Sequence, residues 1–132
     1  MNLIVDTGPL VALLNRRDRL HGWVQEVLAG YAPPLWSCEP VLAEVAHLSR
    51  RPADVVAMVA TGAVRIGLSV QDQAPYLERL LRKYEGRMDL ADACIVRLSE
   101  MNREHRVLTA DRDFAIYRRY GRDVIPLILP GN

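Results

Sequence analysis

Short apolar runs ending in turn residues alternate along the chain with stretches whose apolar positions recur at helical spacing. Leu3-Ile4-Val5 is such a run, closed by Asp6-Thr7-Gly8-Pro9, and Leu10, Val11, Leu13 and Leu14 then follow at helical spacing. This reads as strand, turn, helix, with Pro9 in the first turn, where its missing N–H costs nothing. A second helix is expected from Leu20 to Ala29, with Trp23, Val24, Val27 and Leu28 inward and Gly30 and Pro33-Pro34 behind it. Leu35 and Trp36 begin a strand, and Ser37 is the expected N-cap of a helix running to about Ser49. Arg51-Pro52 breaks the chain before a helix from Ala53 to Ala60, and Val64 to Leu68 alternates as a strand. Gln71 to Tyr84 is amphipathic through Ala74, Leu77, Leu80 and Leu81, and Gly86 closes it. The next helix runs from Met88 to about Asn102, and Arg106 to Thr109 is a strand. A helix to about Tyr120 and a last strand from Val124 to Leu129 complete the pattern.

Strands alternating with helices predict an α/β fold, a three-layer α/β/α sandwich around a mostly parallel sheet. Two acids then occupy equivalent places. Asp6 and Asp111 each follow a short apolar strand and precede a helical turn, so both belong at the carboxyl edge of the sheet, where open α/β sheets hold ligands. Either could instead cap the helix behind it, with Asp113 sharing that duty after Asp111. Two more acids lie on helix faces that turn inward. Glu44 shares the apolar stripe of Val41 and Leu48, and Asp92 lies beside the stripe continued by Ile95 and Val96. Asp89 and Asp92, three residues apart, also fit a capping box that needs no chemistry, and Glu44 could pair with an arginine at the core edge.

At 132 residues the chain has the length of one domain, residues 1–132, and half its residues are apolar. No apolar run approaches a membrane span, and Met-Asn-Leu-Ile-Val-Asp lacks the basic start of a signal peptide, so a cytoplasmic, non-membrane protein is expected. Cys38 and Cys94 have no metal or redox spacing and read as two buried thiols. The net charge of +1 does not announce a nucleic-acid binder. Nearly every cation is Arg, however, Lys83 being the only Lys, and the guanidinium fork suits phosphate. Arg16, Arg17 and Arg19 cluster early, and Arg112, Arg118, Arg119 and Arg122 late. With Tyr117 and Tyr120 they are candidates for an RNA path, although core packing or a solvated face explains them equally well.

Asp6, Glu44, Asp92 and Asp111 can converge on one pocket. Two like charges about 4 Å apart repel by roughly 4 kcal/mol at an effective dielectric near 20. Several together either take up protons or require a cation. An all-oxygen set with no His pair or thiolate set suits Mg²⁺ or Mn²⁺ rather than zinc, and a metal so held can support hydrolysis of a phosphodiester.

These residues resemble the PIN domain family, and within it the VapC-type toxins of toxin–antitoxin modules. The matching motifs are Val5-Asp6-Thr7 with Pro9-Leu10, Glu44 in Leu-Ala-Glu-Val, Asp92 in Asp-Leu-Ala-Asp-Ala, and Asp111 in Leu-Thr-Ala-Asp-Arg-Asp-Phe, in an order that spans nearly the whole chain. Gly8 stands where the family often has Ser or Ala. The resemblance implies a Mg²⁺- or Mn²⁺-dependent endoribonuclease, the toxin of a type II pair. Its catalytic and metal-binding acids would be Asp6, Glu44, Asp92 and Asp111, with polar support from Thr7 and Thr109 and possible participation of Asp89 and Asp113. It also implies an RNA substrate, a small antitoxin partner and a homodimer. The alternative is a PIN-like module that binds RNA or protein without cutting. Other classes lack their marks here. A dehalogenase-like phosphatase needs Asp where Gly8 stands, a receiver domain needs a Lys at a late strand end, and Asp-Thr-Gly-Pro is no dinucleotide-binding turn.

Overall fold

A computed structural model describes residues 2–131. Its order is β1 (Leu3–Val5), α1 (Thr7–Leu14), α2 (His21–Leu28), β2 (Leu35–Ser37), α3 (Glu39–Ser49), α4 (Pro52–Ala60), β3 (Val64–Ile66), α5 (Val70–Lys83), α6 (Leu90–Met101) and β4 (Arg106–Leu108). The chain closes with β5 (Arg118–Arg119), β6 (Asp123–Val124) and β7 (Leu127–Ile128). Five strands form one parallel sheet in the order β3-β2-β1-β4-β7, with helices packed around it. The expected α/β sandwich is therefore present. β1 is central, paired on one side through Ile4 with Trp36 and on the other through Val5 with Leu108. The strand order reverses between β1 and β4, which places the ends carrying Asp6 and Asp111 at the topological switch point.

The core is built on β1 and α6. Leu3, Ile4 and Val5 are buried, as a strand covered on both faces requires. In α6, Ala91, Ala93, Cys94, Ile95, Val96, Leu98 and Ser99 are all buried, so this helix is enclosed nearly all round. Its N-terminal carboxylates are thus fixed by a rigid element. Cys38 and Cys94 are both buried and free, as expected, and contact between the two thiols together with burial pushes Cys38 up. Gly67, just past β3, is needed for a close approach. A Cβ there would sit 2.5 Å from Leu98 Cδ1 and 3.1 Å from Trp36 Cε3, and Leu98 is itself fully buried. Gly67→Ala is expected to cost about 1–3 kcal/mol, read as a lower urea midpoint with an unchanged slope.

Four local expectations need correction. Ser37 is not the N-cap of α3 but the last residue of β2, where its hydroxyl donates to the Val5 carbonyl at 2.9 Å. Cys38 takes the cap position without a side-chain cap bond. β3 stops at Ile66, short of Leu68. The helix expected to reach Tyr120 is only a 3₁₀ turn, Arg112–Ala115, followed by the β5–β6 hairpin. Tyr117 is drawn into the core against Phe114 and Tyr84, and Tyr120 and Gly121 adopt positive φ, which ends any helix. Finally, Val124 to Leu129 is not one strand. It divides into β6 and β7 around Pro126, which has no N–H to donate, while its carbonyl accepts from Val107 N at 2.8 Å.

Candidate functional site

At the carboxyl edge of the sheet lies an open cavity of about 500 Å³ lined by Asp6, Glu44, Asp89, Asp92, Asp111 and Asp113, with Thr7, Gly8, Leu48, Ala110 and the single cation Arg87. Every acid singled out in the sequence reaches it. β1 delivers Asp6, the end of β4 delivers Asp111, α3 turns Glu44 inward, and the start of α6 carries Asp89 and Asp92.

Asp6 stands at the N-cap position of α1, yet its side chain makes no cap bond. Its Oδ2 instead accepts from the buried Thr109 hydroxyl at 2.7 Å, and Thr109 Oγ1 in turn accepts from Asp111 N at 3.0 Å. Only 6% of Asp6 is exposed. Burial pushes its carboxyl up to about 6; Thr109 opposes this, while the charges of Asp111 and Glu44 add to it. Capping therefore does not explain Asp6, whereas it does explain part of the Asp89–Asp92 pair. Asp92 N donates to Asp89 Oδ1 at 2.8 Å and Asp89 N to Asp92 Oδ2 at 3.3 Å, a reciprocal capping box. Asp92 is nonetheless raised to about 7, first by burial and then by Asp89, so the box holds it in place without neutralising it.

Among the described ion pairs none joins Glu44 to an arginine; its Oε1 accepts from the Thr7 hydroxyl at 3.0 Å. The sequence-based ion-pair reading is thereby excluded among the described contacts. Asp111 caps the 3₁₀ turn by accepting from Asp113 N at 2.9 Å, and Asp113 meets Arg87 at 3.4 Å. Six carboxylates thus face one guanidinium across a shared space.

Two contributors escaped the sequence reading. Tyr117, considered for an RNA path, is instead fully buried and donates to Asp92 Oδ2 at 3.2 Å; burial and Asp92 push its hydroxyl above the usual range. Arg87 carries no motif, and its place follows only from the loop between α5 and α6. For two of the late arginines the structure favours the packing alternative over the RNA path. Arg119 is buried and donates to the carbonyls of Ser99 and Arg103, and Arg118 donates to those of Ala115, Ile116 and Tyr117, so both are spent on backbone.

Among the described residues, no group of three or more His, Cys, Asp or Glu side chains is already arranged to hold a metal ion. The acids line the cavity rather than close on one point. Their chemistry still fits a hard divalent cation that keeps part of its water, because the donors are all oxygen and two of them are held above their ordinary range by burial and by neighbouring acids.

The family model of the PIN domain matches residues 3–120 of this chain. Among solved structures, Mycobacterium tuberculosis VapC20, described as a Sarcin-Ricin loop cleaving toxin, is similar with a TM-score of 0.73 at 22% identity, over 87% of this chain and 94% of that one. No curated protein matches the chain in sequence. At that identity the structural likeness is one of fold.

Proposed function

The chain belongs to the PIN domain family, and from that premise we propose that it is a Mg²⁺- or Mn²⁺-dependent endoribonuclease whose working residues are Asp6, Glu44, Asp92 and Asp111. The observation that carries this reading is Asp6. It is a buried carboxylate with a hydroxyl partner and, among the described residues, no ion pair, facing five other acids, and such a group is costly unless something positive completes it. A bound divalent ion would supply charge for the phosphate in the transition state and would acidify the attacking water. Asp6, Glu44, Asp92 and Asp111 would hold that ion, with Asp89 and Asp113 as further members of the set. Thr109 fixes the orientation of Asp6, Thr7 that of Glu44, and Tyr117 that of Asp92.

The likeness to VapC20, described as a Sarcin-Ricin loop cleaving toxin, supports a toxin that cuts RNA; the resemblance of the sequence motifs extends this reading to a type II pair with a small antitoxin and to a cytoplasmic homodimer. No described helix is long and apolar enough to cross a membrane. The test is cleavage of total RNA by the purified, antitoxin-free chain in Mg²⁺ or Mn²⁺ and in EDTA. The expected result is cutting that appears with metal and stops with EDTA; equal cutting in both would overturn the reading.

A further inference from the structure

Beyond the acidic cavity, a second pocket of about 320 Å³ lies between α5, α6 and the β5–β6 hairpin, lined chiefly by Tyr76, Arg79, Lys83, Arg97, Glu100 and Tyr120. It is pinned from within. Glu100 accepts from Arg97 through Oε1 at 3.1 Å and from Tyr120 N through Oε2 at 2.7 Å, and its backbone carbonyl accepts from the Tyr120 hydroxyl. Arg97 also donates to Gln73 at 2.8 Å and lies 3.6 Å from the centre of the Tyr76 ring. One partly buried ion pair therefore fixes a tyrosine on each wall, although Tyr76 and Tyr120 remain 43% and 42% exposed. Tyr120 holds φ at 54°, a conformation unfavourable for an aromatic residue, and the Glu100 contacts keep it there.

Charge at the mouth is unbalanced. Arg97 and Glu100 compensate each other, but no carboxylate pairs with Arg79 or Lys83 among the described ion pairs. Arg79 lies 5.0 Å from the centre of the Tyr76 ring, and Lys83 donates to the Gly121 carbonyl at 3.3 Å. Rigid, half-exposed rings beside uncompensated cations are the elements with which single-stranded nucleic acid is held. The pocket is also tied to the acidic cavity by a short segment. Tyr117 donates to Asp92, and Tyr120 follows three residues later, at most about 11 Å along an extended chain.

We propose that this pocket binds one nucleotide of the RNA strand away from the scissile phosphate, its base against Tyr76 and Tyr120 and its phosphate on Arg79 and Lys83. The proposal rests on RNA being the substrate. It is tested by fluorescence anisotropy with short labelled poly(U) and poly(A) RNA in EDTA, so that nothing is cut. Tyr76→Ala and the double variant Arg79→Ala, Lys83→Ala are each expected to weaken binding about tenfold, with Tyr76→Phe unchanged. The double variant should also reduce the slope of log affinity against log salt by roughly 1.4, that of two single-strand phosphate contacts. All three positions lie on α5, and unchanged thermal melting together with an unchanged far-ultraviolet circular dichroism spectrum verifies the fold. If folded, cutting variants bind RNA with wild-type affinity and salt slope, this inference fails while the nuclease reading stands. A changed sedimentation coefficient in the same variants would then assign the pocket to a protein contact. If the wild-type chain neither binds nor cuts RNA, both fail.

Discussion

Asp6→Asn is expected to lower metal-dependent RNA cutting by at least about a hundredfold while the chain stays folded, because it removes one charge from the acid set and almost nothing from the packing. Asn is nearly isosteric, and its carbonyl oxygen can accept from Thr109 Oγ1 as Asp6 Oδ2 does at 2.7 Å. The variant therefore separates charge from structure. Initial rates on RNA in Mg²⁺, beside a thermal melt, provide the comparison. Loss of activity through unfolding would instead appear as a lower melting temperature, and a variant that cuts like wild type would remove Asp6 from the mechanism.

The second large effect is on stability against pH without metal. Asp6 and Asp92 titrate at about 6 and about 7 in the folded chain, against an ordinary value of 3.8. Between those values the folded state holds protons that the unfolded state has released, so stability falls as pH rises from about 4 to about 7. The contribution from buried Asp6 is on the order of 3 kcal/mol, a drop of roughly 10 °C in melting temperature. Asp92 adds in the same direction but less, being more open to solvent. Melts in EDTA from pH 4 to pH 8 should show this decline for the wild type and a shallower one for Asp6→Asn. At pH 8 the variant should be the more stable of the two. A steeper decline in the variant would support a structural role for the Asp6 charge.

The acidic site was legible because its members sit where simple patterns put them. A short apolar strand followed by Asp-Thr-Gly-Pro locates Asp6 at the carboxyl end of β1, and the same reasoning locates Asp111 after β4. Helical spacing turned Glu44 and Asp92 inward. Local patterns could not choose between capping and chemistry, and the geometry shows why. Asp89 and Asp92 form the capping box and line the cavity at once, while Asp6 occupies a cap position without capping. What stayed hidden depends on contacts distant in sequence. Tyr117 leaves helical geometry to bury its ring against Phe114 and Tyr84, and Tyr84 lies far outside any window around residue 117. For Arg119 the sequence left an RNA path and core packing equally open, and the choice is made by the carbonyls of Ser99 and Arg103, twenty and sixteen residues away, which accept from its guanidinium. The positive φ of Tyr120 defeated the helical expectation for a similar reason, since Glu100, which holds it, is twenty residues away.

The central claim, that the acidic cavity is a divalent-ion site, is tested most directly by calorimetric titration of Mn²⁺ into the metal-stripped chain near pH 6.5, in two buffers of different ionisation enthalpy. Saturable binding with proton release is expected, since the ion must displace protons held on Asp92 and in part on Asp6, and both binding and release should be lost in the Asp6→Asn, Asp92→Asn double variant. Absence of binding to the wild type, or equal binding to the double variant, would contradict the account.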